Sequence, residues 1–187
     1  MKKIAILASH NGSGFEAIYR AIENGTLNAE VCLVISNNSN ANVLNKAKKF
    51  NVDFAVVNKS LFENPDEKIF ELLKEKGCQY VFLSGYMKKL SPLLTENFSI
   101  INSHPSLLPK FGGTGMYGRF VHEAVILANE TISGVTIHEV DKNYDEGKII
   151  LQTSLEIFEN ESVDSLEERI KELEKVTIIE ALQKCLN

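Results

Sequence analysis

The chain has 187 residues, 44% of them hydrophobic and 24% charged, a balance that suits one compact domain over 1–187 with a core needing no disulfide or structural metal. A net charge of −5 argues against a nucleic-acid-binding surface, which needs a clustered basic face, although backbone amides and a few cations can still hold a small anion. No run approaches the ~20 apolar residues of a membrane span, and Cys32, Cys78 and Cys185 stand apart without a C-x-x-C pair, as reduced thiols of a soluble cytoplasmic protein do.

Strand-like and helical segments alternate along the chain. Lys3 to Ala8 reads as the first strand, its continuous apolar run from Ile4 to Ala8 being the pattern of a parallel strand buried on both faces. Phe15 to Ile22 has helical spacing and is stopped by Asn24-Gly25. Val31 to Ser36 predicts a second strand, Asn42 to Phe50 a second helix, Asp53 to Val57 a third strand and Asp66 to Lys76 a third helix. Tyr80 to Ser84 predicts a fourth strand. This rhythm means a doubly wound, mostly parallel α/β sheet with right-handed crossovers.

Beyond Ser91-Pro92 the rhythm changes. A short strand near Ile100-Ile101 leads into a Pro- and Gly-rich loop from Ser103 to Gly118, then a helix to about Ala128. Ser133 to Val140 and Lys148 to Ile157 read as two further strands forming a C-terminal antiparallel extension. A final amphipathic helix starts at Asp164 or Ser165, with Leu166, Ile170 and Leu173 as its inward stripe and Ser165 with Glu168 as a capping box. There is no internal repeat and no linker.

Three stretches carry chemistry. Ser9-His10-Asn11-Gly12-Ser13-Gly14 joins the first strand to the first helix, where a helix N-terminus attracts phosphate. Gly12 and Gly14 would let the backbone approach a ligand closely, but the turn is neither G-x-G-x-x-G nor a P-loop, so an anion site and an ordinary tight turn both fit it. Ile101-Asn102-Ser103-His104-Pro105-Ser106-Leu107-Leu108-Pro109 places Asn102 and His104 two residues apart at the carboxyl edge of the sheet. An amide and an imidazole held together there can donate to one developing oxyanion, with the prolines restraining the loop. Asp145 lies in the acidic connection Asp141 to Gly147 between the last two strands. Beside a histidine it would orient the ring and raise its pKa; taken alone, Asp145-Glu146-Gly147 reads first as an ordinary polar turn. His122, inside a helix, and His138, inside a strand, read as packing or surface residues.

N-x-H-P-S-L-L-P followed by a downstream loop carrying D-x-G resembles the folate-dependent formyltransferases, and the resemblance covers nearly the whole chain. It implies transfer of the formyl group of 10-formyltetrahydrofolate to the amine of a small phosphorylated acceptor, glycinamide ribonucleotide, in purine synthesis. It implies no metal and no nucleic-acid or membrane partner, and it leaves monomer or homodimer open. Gly12, Ser13 and Gly14 match the turn that holds the acceptor's phosphate, with Gly85 and Glu174 also on the acceptor side, Glu174 toward the ribose. Met87, Lys88, Lys89 and Leu90, with Val140 and Asp141, match the segments bordering the pterin pocket. Asn102, His104 and Asp145 match the catalytic asparagine, histidine and aspartate, and Asn102 and Asp145 also border the folate.

Departures from the family pattern fall at the periphery. Gly14 stands where the phosphate turn usually has asparagine, which removes a side-chain contact. Leu61 to Asp66 lacks the arginine often found near the folate tail, leaving Lys59 or Lys68 nearest. Glu174 is followed by Lys175-Val176-Thr177 rather than histidine and a Tyr-Pro pair, and Gly112 to Gly118 is richer in glycine than usual. Two sibling activities, formylation of initiator methionyl-tRNA and deformylation of the folate itself, normally come with an additional domain for which 187 residues leave no room. A non-catalytic folate or nucleotide sensor would have no use for the catalytic three.

Overall fold

The structure, a computed structural model, describes residues 1–186. Seven strands form one sheet: β1 (Lys2–Leu7), β2 (Ala29–Ser36), β3 (Phe54–Val56), β4 (Tyr80–Leu83), β5 (Ser99–His104), β6 (Ile132–Glu139) and β7 (Ile149–Glu156). Their order is β3-β2-β1-β4-β5-β6-β7, with the first five parallel, β6 antiparallel to β5 and β7 antiparallel to β6. Helices α1 (Ser13–Glu23), α2 (Asn42–Lys49), α3 (Pro65–Lys76), the single turn α4 (Pro92–Thr95), α5 (Arg119–Leu127) and α6 (Val163–Leu186) complete the fold. No helix among them is long and apolar enough to cross a membrane.

The helices cover both faces, which is why β1 is apolar without a break from Ile4 to Leu7. Ile4 and Ile6 pack toward α1, α2 and α6, and Ala5 and Leu7 toward α3. All four are fully buried, and each of the large ones contributes about 1.5–3 kcal/mol. The stripe anticipated on the last helix is present, with Leu166 and Ile170 buried and Leu173 half-buried.

Local differences from the sequence reading have simple causes. The capping serine of α6 is Ser162, whose Oγ accepts from Ser165 N at 3.2 Å. Ser165 itself donates to Glu161 at 2.7 Å, so the Ser165–Glu168 box does not form. β5 continues through Ser103 to His104 because β6 runs alongside it, pairing Asn102 with His138 and His104 with Thr136. The turn α4 was hidden in Ser91-Pro92, where proline at the first helical position marks a start that is easily read as a break.

The order of strands reverses between β1 and β4, and ligands of doubly wound sheets bind in the crevice at such a point. The loops after β1 and β4 are tied together there. Ser9 N donates to Gly85 O at 3.0 Å, and Met87 N donates to Ser9 Oγ at 2.8 Å.

Candidate active site

The turn after β1 enters α1 through Gly12, whose φ of +61° is a left-handed conformation open to glycine at no steric cost. The N–H groups of Gly12, Ser13 and Gly14 have no internal hydrogen bond among the described residues, so the helix presents free donors at its positive end. Gly14 has a different reason from the one expected. A Cβ there would lie 2.9 Å from Phe82, 3.0 Å from Ser84 Oγ and 3.2 Å from Ile178. Its hydrogen faces packed side chains rather than a ligand. His10 is exposed beside the turn.

Asn102 and His104 project from one face of β5, as alternation requires, and Asp145 is brought to them from the β6–β7 connection. Asp145 Oδ2 lies 3.6 Å from His104 Nδ1, and the same oxygen accepts from Gly113 N at 2.8 Å. His104 Nε2 donates to the Phe111 carbonyl at 2.7 Å, which leaves Nδ1, facing Asp145, to take a second proton. His104 is almost wholly buried. Burial pushes its pKa below the ordinary histidine value, and Asp145 and the Phe111 carbonyl only partly oppose this. The expected net increase is therefore corrected: desolvation outweighs the carboxylate. Burial would raise the Asp145 pKa, but the flanking histidines and the Gly113 amide hold it below the usual carboxylate value.

His138 is the residue the sequence reading missed. It is buried, and its Nδ1–H donates to the Glu139 carbonyl at 2.9 Å. Nε2 is thereby left to accept from Asn102 Nδ2 at 3.1 Å, and it lies 3.5 Å from Asp145 Oδ1. His138 thus fixes the Asn102 amide and faces the aspartate. The available signal was Thr136 and His138, two polar residues on one face of a strand whose other face carries Val135 and Ile137. Thr136 anchors the H-P-S-L-L-P loop: its Oγ1 donates to Ser106 O at 2.6 Å and accepts from Leu108 N at 3.0 Å and Gln152 Nε2 at 2.9 Å.

The two segments expected around a pterin are adjacent. Met87, Lys88 and Lys89 are exposed beyond β4, and Lys89 Nζ lies 5.4 Å from the Tyr144 ring in the loop after β6. Val140 N donates to Ile100 O at 2.9 Å, and Asp141 turns that loop by accepting from Asn143 N at 2.8 Å. Leu90, by contrast, is buried in the core beside α3, so only its backbone can border a ligand. Gly85 is exposed at the switch point. Glu174 lies across the sheet from His104: its Oε1 accepts from Ser103 Oγ at 2.5 Å, and burial pushes its carboxyl up. Lys68 pairs with Glu71 at 2.9 Å and supplies no free cation for a folate tail.

Residues 2–182 match the family model described as Formyl transferase. The chain is similar to the phosphoribosylglycinamide formyltransferase of Haemophilus influenzae, at 36% identity over 93% of this chain and 82% of that one. It is 32% identical to the chloroplastic phosphoribosylglycinamide formyltransferase of Arabidopsis thaliana over 97% of this chain, and spans 64% of that longer protein. The crystal structure of phosphoribosylglycinamide formyltransferase from Bacillus halodurans matches it with a TM-score of 0.91 and 34% identity, over 100% of this chain and 96% of that one. A match across nearly every residue of the sheet and its last helix leaves one assignment: the chain belongs to the formyl transferase family.

Proposed function

We propose that the chain, acting as a single formyltransferase domain over residues 1–187, transfers the formyl group of 10-formyltetrahydrofolate to the amine of glycinamide ribonucleotide. The observation that carries this reading is the meeting of Asn102, His104 and Asp145 at the same sheet edge as the free N–H groups of the turn Gly12–Gly14. One end suits a phosphate, and the other suits a carbonyl that gains negative charge.

Bound folate supplies an activated formyl carbon, so the amine can attack it without an enzyme nucleophile. The protein's part is positional and electrostatic. The Asn102 amide, with one N–H held by His138, offers the other to the formyl oxygen. His104 as imidazolium offers its Nε2–H to the same oxygen, in place of the Phe111 carbonyl it now meets. Each such donor is worth ~3–4 kcal/mol of barrier. Asp145 stabilises the imidazolium through Nδ1 and, through a bound water, takes the proton that the amine loses and passes it to the folate nitrogen as the bond between that nitrogen and the formyl carbon breaks. Gly12, Ser13 and Gly14 hold the acceptor's phosphate, Gly85 lies along its path and Glu174 meets its ribose. Met87, Lys88, Lys89, the Leu90 backbone, Val140 and Asp141 border the pterin.

Formylation of glycinamide ribonucleotide, followed through loss of 10-formyltetrahydrofolate, tests the reading. The wild-type chain is expected to turn over, and His104→Ala to lose turnover while still binding folate. Formylation of initiator methionyl-tRNA with none of the ribonucleotide would refute the acceptor assignment.

A further inference from the structure

Ser103 sits between the two catalytic donors of β5, yet points the other way. Strand alternation sends Asn102 and His104 to one face and Ser103 to the face covered by α6. There it donates to Glu174 Oε1 at 2.5 Å, while Glu174 Oε2 has no hydrogen-bond partner among the described residues. This carboxyl is not remote from the phosphate turn. Ile178, one helical turn beyond Glu174 on the same face of α6, is the side chain that a Cβ on Gly14 would meet at 3.2 Å. Ser84 Oγ, also against Gly14, accepts from Phe15 N at 3.3 Å. Ser84 lies one step beyond the Leu83–Asn102 strand pair, which places it beside Ser103. A continuous line therefore runs from the α1 N-terminus through Ser84 and Ser103 to Glu174, with one free carboxyl oxygen at its end.

We infer that Ser103 is a positioning residue for the acceptor: it pins Glu174 Oε1 to β5, so that Oε2 is presented to the ribose hydroxyls of the phosphorylated acceptor. This rests on the acceptor reading above. The physical reason is that a glutamate on a helix surface has three free torsions, and ordering them at the moment of binding costs affinity. A hydrogen bond made beforehand to a rigid strand removes that cost. Because the serine hydroxyl points away from Asn102 and His104, its loss acts on acceptor binding and leaves oxyanion stabilisation in place.

The test compares Ser103→Ala and Ser103→Thr in the full chain, by steady-state kinetics and by calorimetric titration with glycinamide ribonucleotide. In Ser103→Ala the KM and Kd for that acceptor are expected to rise roughly five- to tenfold, the worth of one hydrogen bond to a charged or buried partner. The kcat and the KM for 10-formyltetrahydrofolate should stay within about twofold. Ser103→Thr, which keeps the hydroxyl, should recover most of the loss. An acceptor lacking the ribose hydroxyls should bind wild type and Ser103→Ala alike. A fall in kcat with acceptor affinity unchanged would overturn the inference, as would an equal penalty with the deoxygenated acceptor, since either would make Ser103 a packing residue of β5. If the wild-type chain binds no glycinamide ribonucleotide in the titration, the acceptor reading itself has failed, and the inference falls with it.

Discussion

Replacing Asp145 by asparagine isolates the electrostatic part of the site. The aspartate lies 3.6 Å from His104 Nδ1, with side-chain exposures of only 13% and 4%. For unit charges at that distance the attraction is ~4–5 kcal/mol at an effective dielectric near 20, against ~1 kcal/mol in bulk water. These side chains are shielded from solvent, so the larger value is the nearer one. The amide introduced by Asp145→Asn would keep the volume and still accept from Gly113 N, but it would no longer offset the desolvation that already disfavours the imidazolium. Discounting for relaxation of the polar surroundings, about 3–4 kcal/mol of barrier stabilisation is lost, a fall in kcat/KM on the order of 10²–10³. The proposed mechanism uses His104 as imidazolium, so activity is expected to decline as pH rises through its pKa. Without the aspartate that descending limb moves to lower pH. Formyl transfer measured across the pH range, with a thermal melt as the folding control, tests both parts. A variant that melts like wild type, retains kcat/KM within tenfold and shows an unmoved limb would refute the assigned role.

Two further outcomes follow from packing and linkage. Gly14→Ala should destabilise the fold by roughly 1–3 kcal/mol, an overpacking cost, because its methyl meets Phe82, Ser84 and Ile178; a denaturant midpoint at or above wild type would contradict that packing. His122 is buried, and burial holds its pKa below the ordinary 6.5, so the unfolded chain binds this proton more tightly. Its share of stability is present above the unfolded value and lost as pH falls below it. Glu174, with its raised pKa, works in the opposite sense. The clean measurement is therefore the difference between wild type and His122→Gln. Acidification from about pH 7.5 to about pH 5.5 should lower the melting temperature of the wild type more than that of the variant, and equal shifts would show that His122 does not titrate this way.

Much of this protein was legible before any coordinates. Lys3 to Ala8 read as a strand buried on both faces, because its apolar run from Ile4 to Ala8 is too short for a typical buried helix and a turn with two glycines follows it. The alternation of strands and helices that followed could close only into a parallel wound sheet. N-x-H-P-S-L-L-P and the distant aspartate identified the family through residue identity. Three things needed the tertiary structure. His138 joined the site only through the antiparallel register that sets it opposite Asn102, and register is not written in one strand alone. The His104 pKa depended on the balance between a carboxylate at fixed distance and the water removed around the ring, and sequence names the carboxylate but not the burial. Gly14 looked like a concession to a ligand until three side chains from β4, the loop after it and α6 were found against it. Sequence specified which groups were available and the local geometry that short-range sterics impose. Distance, exposure and pairing across the sheet belong to the packed chain, because they depend on residues far apart in sequence.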